Sequence, residues 1–158
     1  MQSLNFPAFD YKIQVARTGY QIFDVVRKKY VRLTPEEWVR QHCLHYLIGH
    51  LAYPRALIRL ERGVWHSRLQ HRPDLVAYDR LARPLLLVEC KASGVPLTTK
   101  TQEQLMRYNA YYKSRLLVMT NGLQHFCWQL DYAGRCSVGL QAIPHFDNLS
   151  TNVAQHDA

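Results

Sequence analysis

The sequence predicts an α/β domain in which a central mixed β-sheet is flanked by helices. Three observations carry this. Apolar stretches of strand length recur before, between and after two longer segments with helical spacing. One stretch, Leu85-Leu86-Leu87-Val88, has no polar face at all, as befits a central strand covered on both sides. The order of strands, helix, strands, helix, strands leaves a sheet whose faces the helices must cover.

Taken in order, Tyr11–Ala16 and Tyr20–Val26 alternate in polarity across Thr18-Gly19, which predicts a hairpin or two short strands. Thr34-Pro35-Glu36-Glu37 is a helix start, with Thr as N-cap, Pro at the first helical position and Glu three residues after the cap. Trp38, Val39, Cys43, Tyr46 and Leu47 continue at helical spacing, so this helix runs to about Leu51, and Tyr53-Pro54 ends it. Strands follow at Leu57–Arg62, closed by a turn at Gly63, then at Asp74–Tyr78 and Leu85–Cys90. Thr98–Ser114 is the second long helix. Leu116–Thr120 is a strand closed by Asn121-Gly122, Gln124–Leu130 another, and Cys136–Ile143 a candidate last one. With no repeat and no low-complexity linker, residues 1–146 form one domain and 147–158 a polar C-terminal tail.

At 158 residues the chain can bury a core without disulfides or structural metal. Its composition, 47% hydrophobic and 20% charged, excludes wholesale disorder. The net charge of +8 favours a polyanion, nucleic acid before an anionic membrane surface. The charge is uneven: residues 136–158 hold no Lys or Arg, whereas Arg27, Lys28, Lys29 and Arg32, then Arg55, Arg59, Arg62, Arg68 and Arg72, crowd the body. The bland reading of such runs is a solvated surface. Cys43, Cys90, Cys127 and Cys136 lack CxxC or finger spacing and read as small hydrophobes in a reducing, cytoplasmic setting. His42, His45 and His50 do not form an HExxH motif, so a zinc site is not expected. No signal peptide and no membrane span is visible, and no membrane partner is expected.

The chemistry concentrates in Arg72-Pro73-Asp74-Leu75, Val88-Glu89-Cys90-Lys91 and Gln104-Leu105-Met106-Arg107-Tyr108. Alternation along a strand puts Glu89 and Lys91 on one face and Cys90 on the other. If Asp74–Tyr78 and Leu85–Cys90 form a hairpin with loop Arg80–Arg83, opposed residues have numbers summing to 163, as Asp74 and Glu89 do. A slip of one residue would turn Asp74 to the wrong face. Two carboxylates and an ammonium on one patch suit phosphodiester hydrolysis. Asp74 and Glu89 would hold Mg²⁺, with Mn²⁺ able to substitute, and the backbone carbonyl of Cys90 is a further candidate ligand. The ion would orient the phosphate and acidify a bound water, and Lys91 would sit beside that water. The alternative is a solvated Glu–Lys pair, but charges at the end of a central strand are costly without partners or a task.

Two residues keep two readings. Gln104 and Tyr108, four apart on the second helix, can donate to a phosphate, or they are a capping-box member (with Thr101) and a core aromatic. Glu37 is the capping partner of Thr34 or, less favoured, a member of the metal site. Tyr53, Tyr111, Tyr112 and Trp128 are read as packing residues rather than base-stacking ones.

Together these residues make the sequence similar to the PD-(D/E)XK nuclease superfamily. More narrowly it resembles the N-terminal nuclease domain of type I restriction endonuclease R subunits and its stand-alone relatives. The matching stretches are LTPEEWVRQ (33–41), RPDLVAYD (72–79), LLLVECKA (85–92), TTKTQEQLMRYN (98–109) and VMTNG (118–122), spanning most of the chain. The resemblance implies a restriction-endonuclease-like fold, metal binding by Asp74 and Glu89, catalysis by Lys91, and completion of the site by Gln104 and Tyr108. A helicase motor has no room in this length and no P-loop is present, so translocation and methylated-site recognition are not carried over. The expectation is a Mg²⁺-dependent DNA nuclease, an endo- or exodeoxyribonuclease, as a homodimer or with a partner protein. The alternatives are RNA as substrate, or a nucleic-acid-binding or assembly module of the same fold that does no chemistry.

Overall fold

Leu85-Leu86-Leu87-Val88 offers solvent no polar face, and the fold covers it on both sides. The computed structural model describes residues 2–60 and 72–150. Within them a three-stranded antiparallel sheet, β1 (Ile13–Ala16), β2 (Gly19–Asp24) and β3 (Lys29–Arg32), precedes helix α1 (Pro35–Gly49). Then come β4 (Ile58–Leu60), β5 (Leu75–Tyr78), β6 (Pro84–Cys90), α2 (Thr99–Tyr112), β7 (Leu116–Thr120), β8 (His125–Asp131), β9 (Cys136–Leu140) and α3 (Phe146–Ser150). β4 to β9 form one six-stranded sheet in sequence order. It is mixed: β6 and β7 are parallel, as a helical crossover requires, and the other neighbours are antiparallel.

The alternation of β5, β6 and β7 divides the core. Val76, Leu87, Leu117 and Met119 face α2 and pack with its Leu105 and Tyr108. Leu75, Ala77, Leu86, Val88, Cys90, Leu116 and Val118 share the larger core on the opposite face with Val39, Cys43, Leu44 and Leu47 of α1. Ile22 and Val31 join that core, so the small sheet is packed against α1. α1 starts as expected: Thr34 Oγ1 accepts the Glu37 amide at 3.0 Å, and Pro35 opens the helix. Gly122 serves the turn after β7 at φ +82°, with Leu4 packed directly over it.

Several expectations are revised. β3 was not foreseen, because its Lys29 and Arg32 belong to what reads as a charge run. The domain boundary expected at 146/147 falls inside α3, whose Phe146 and Leu149 are buried against the core. Cys43, Cys90 and Cys127 are buried free thiols, but Cys136 is exposed on β9. Tyr53 is buried, yet Tyr111 is 76% exposed and only meets Tyr112 edge-on, with ring centroids 5.5 Å apart. The end of the strand expected at 57–62, the Gly63 turn, and Arg62 and Arg68 lie outside the described residues.

Candidate active site

Antiparallel pairing sets the site. Leu75 pairs with Val88, Val76 with Leu87 and Ala77 with Leu86, so Asp74, one residue before β5, falls opposite Glu89. The hairpin loop closes differently from the assumed one: Tyr78 pairs with Pro84, and a bulge between Ala77 and Tyr78 restores the register. Asp74 Oδ2 accepts the backbone N–H of Cys90 at 2.7 Å, fastening the carboxylate to the end of β6. The Lys91 amide donates to the Thr120 carbonyl at 2.9 Å, so the strand geometry continues one residue further. Lys91 therefore shares the Glu89 face, while the Cys90 thiol joins the core behind.

Glu89 is 3% exposed. Its Oε1 accepts from Lys91 Nζ at 2.7 Å and from Gln104 Nε2 at 2.9 Å, and Gln104 also donates to the Tyr108 hydroxyl at 2.6 Å. The two readings of the helix residues thus resolve. The N-cap of α2 is Thr98, not Thr101, and it makes no side-chain cap bond; Gln104 turns to Glu89 instead. Tyr108 is both core and site: its ring packs with Leu105 while its hydroxyl meets Gln104.

The residue that sequence reasoning missed is Arg40. Its guanidinium donates to Asp74 Oδ1 (from Nε at 3.1 Å, and from Nη2), to Glu37 Oε2, and to Glu36 Oε1 at 3.0 Å. Glu37 is committed to this arginine and to Gln41, whose Nε2 donates to Glu37 Oε1 and to Asp24 Oδ2, each at 2.8 Å. Glu37 takes part in the cap only through its backbone. Its side chain braces Arg40 behind the site. The signal available in the sequence was spacing: Glu36, Glu37 and Arg40 lie four and three apart on α1.

Residues 35–144 match the family described as type I restriction enzyme R protein N terminus (HSDR_N). The chain belongs to this family. The match runs from the first residue of α1 to just before α3, so it holds α1, α2, the six-stranded sheet and the five expected site residues, while β1–β3 precede it. No curated protein matches. A solved fragment structure, assigned as an HsdR subunit of a type I restriction enzyme from Vibrio vulnificus YJ016, is similar at 21% identity with a TM-score of 0.41. The similarity covers 61% of this chain and 18% of that one, so this chain spans less than a fifth of its length. The fold of this R-protein N-terminal chain is α/β, with a mixed six-stranded sheet between helices. No helix among the described residues is long and apolar enough to cross a membrane.

In this family member the electrostatics follow from burial. Burial pushes the Glu89 carboxyl up, the Asp74 charge adds to the effect, and Lys91 only partly offsets it, leaving the group at about 7. Burial works against the charge on Lys91, but the hydrogen bond and charge of Glu89 outweigh it and raise its pKa. Burial likewise opposes the Arg40 charge, and Asp74 and Glu37 more than compensate, so it stays protonated. Burial raises the Tyr108 phenol, tempered by Gln104.

A divalent ion fits this donor set. Glu89 Oε2 is buried with no hydrogen-bond partner, a costly state for a carboxylate oxygen unless something positive meets it. Two hard carboxylates are what Mg²⁺ takes from protein, the remaining positions being waters and substrate oxygens. Among the described residues no group of three or more His, Cys, Asp or Glu gathers to hold a metal, so protein ligation here would rest on these two carboxylates. His42 and His45 pack instead on Phe9, at ring-centroid distances of 4.8 and 4.0 Å.

Proposed function

We propose that this chain is a divalent-metal-dependent nuclease that hydrolyses DNA phosphodiester bonds. The observation that carries the reading is the unpartnered, buried Glu89 Oε2 lying on the face where Asp74 and Lys91 converge. Asp74 and Glu89, with the Cys90 carbonyl, would hold Mg²⁺ or Mn²⁺, which supplies an acidified water and neutralises charge on the phosphate. Asp74 is held by the Cys90 amide and Arg40, so its carboxylate is oriented before any ligand arrives. Lys91 donates to Glu89, and its ammonium would be at hand to orient an attacking water or meet a non-bridging phosphate oxygen. Gln104 holds the same Glu89 oxygen from the opposite side and is itself seated by Tyr108. Glu37 acts through Arg40 and not as a ligand.

Family membership and the +8 charge support DNA as the polyanion. A site of this size cuts one strand, so a second copy or a partner protein would complete a double-strand break. The unpaired thiols suit the cytoplasm. The test is nicking of supercoiled plasmid and cleavage of labelled single-stranded DNA and RNA with Mg²⁺, Mn²⁺ or EDTA, beside Lys91→Ala. Metal-dependent DNA cleavage lost in the variant supports the reading. Nucleic acid bound without cleavage in any metal would make the chain a binding or assembly module, and cleavage of RNA alone would change the substrate.

A further inference from the structure

We propose that the small sheet β1–β3 is a backbone-binding surface for the nucleic acid held at the site, gripping phosphates that flank the scissile one. The inference rests on the nuclease reading and adds a place where the substrate is held. Between residues 11 and 32 the cations Lys12, Arg17, Lys28, Lys29 and Arg32 are all exposed. None of them pairs with a carboxylate among the described residues. The only acid in that span is Asp24, and it is fully buried. Arg32 lies opposite Gln21 on one face and Lys29 opposite the buried Asp24 at the rim of the other, so the cations wrap the small sheet. The exposed Asp10 before Lys12 offsets one of them, and the remaining excess attracts a polyanion.

The dimensions fit a nucleic-acid strand. β2 has six residues and so spans about 20 Å, roughly six nucleotides of rise along one strand. Lys12 precedes β1, Arg32 closes β3, Arg17 sits in the β1–β2 turn, and Lys28 and Lys29 sit where β2 turns into β3. Lys28 has φ 54°, a left-handed conformation that glycine adopts at lower cost, so the turn carries a cation where glycine would be the less strained residue.

The surface is also anchored to the catalytic carboxylates. Asp24 Oδ1 accepts the amides of Val26 and Arg27 at 2.9 and 2.7 Å, which shapes the turn bearing Lys28 and Lys29. Asp24 Oδ2 accepts from Gln41 at 2.8 Å, Gln41 donates to Glu37, Glu37 accepts from Arg40, and Arg40 donates to Asp74. Arg27 lies 3.6 Å from both Asp24 and Glu37 and closes the chain of contacts. Few side chains separate the basic turn from the metal ligand, and most of them are buried. A phosphate bound at the turn is thereby held at a fixed offset from the reacting centre.

The test is fluorescence anisotropy of labelled duplex and single-stranded DNA in EDTA, between about 50 and 200 mM salt. It compares the wild type with Lys28→Gln/Lys29→Gln and Lys12→Gln/Arg32→Gln. Lys113→Gln/Arg135→Gln removes the same charge elsewhere. Each sheet variant is expected to reduce the slope of log K against log salt by about 0.9 per lost contact on duplex, or about 0.7 on a single strand. The control variant should leave the slope unchanged. Equal slopes in the sheet and control variants would overturn the inference while leaving the nuclease reading intact. Wild type that binds no nucleic acid would overturn the inference, while the cleavage assay with Mg²⁺ or Mn²⁺ separately decides the nuclease reading. Loss of binding to phosphatidylserine–phosphatidylcholine vesicles in the sheet variants, with DNA binding unaltered, would overturn it in favour of a membrane surface.

Discussion

Replacing Arg40 with Met tests whether the buried charges around Asp74 are as tightly coupled as their geometry implies. The Arg40 side chain is 12% exposed and faces Asp74 at 15%, Glu37 at 8% and Glu36 at 45%. Removing one partner of a buried pair costs about 3–5 kcal/mol, because the remaining charge is stranded. The Glu36 pair is half in solvent and adds under about 1 kcal/mol. Asp74 keeps the Cys90 amide and Met fills much of the arginine stem, so the lower end applies, about 3 kcal/mol. For a domain of this size that corresponds to a fall in Tm of about 6–12 °C in EDTA. Mn²⁺ should act in the opposite sense. The variant has lost a positive charge beside the carboxylates, so the ion binds the folded state more tightly and its thermal upshift exceeds that of the wild type. Arg40→Lys keeps the charge without the planar fork and should fall between the two. Differential scanning fluorimetry with urea unfolding reads both quantities. A Tm loss below about 2 °C, roughly 1 kcal/mol or less, would refute the energetic argument, and a smaller Mn²⁺ upshift in the variant would refute the electrostatic one.

Three further outcomes are expected. Glu89 rises from 4.5 to about 7 on folding, so the folded state holds its proton more tightly. That contribution is complete below the unfolded pKa and is lost as pH rises through about 7, amounting to about 3 kcal/mol. Metal-free protein should therefore lose Tm across that window and Glu89→Gln should lose less; parallel curves would rule this out. Lys91→Ala should lower plasmid nicking by about 10²–10⁴-fold, read by single-turnover rates, and should also lower Tm at alkaline pH, where the buried Glu89 carboxylate is left without its cation. Gly122→Ala places a Cβ at a φ of +82° and 2.8 Å from Leu4 Cδ2, so it should cost more than about 1 kcal/mol in urea unfolding.

Much of this architecture is legible from the residues because it rests on short-range rules. Thr34 caps α1 because its hydroxyl reaches the Glu37 amide. The apolar β6 had to be central, and its alternation alone places Glu89 and Lys91 together. The pairing of Asp74 with Glu89 was legible too, but through a loop whose closure differs by one residue and whose bulge cancels the difference. What could not be read depends on distant parts of the chain. Arg40 looks like any surface arginine three residues from a Glu until β5 delivers Asp74 to it. β3 is hidden by its charges, and α3 is short enough to pass for a polar tail until Phe146 meets Tyr53, with ring centroids 5.4 Å apart. The buried Gln41 bridges Glu37 to Asp24, the latter 17 positions before it in the chain, which no local pattern announces.

The bulge between Ala77 and Tyr78 insulates the ligand pair from the hairpin tip. Strand register ordinarily propagates, so a residue gained or lost at the tip would exchange the faces of β5 and expel Asp74. Here the irregularity takes up the mismatch within two residues, and the ladder from Leu75 to Ala77 reaches Asp74 in phase. The segment from Asp79 to Arg83, where Asp79 accepts the Leu81 and Arg83 amides, thus closes the hairpin out of phase with the ladder without disturbing the alignment of Asp74 and Glu89 at the far end of the same two strands.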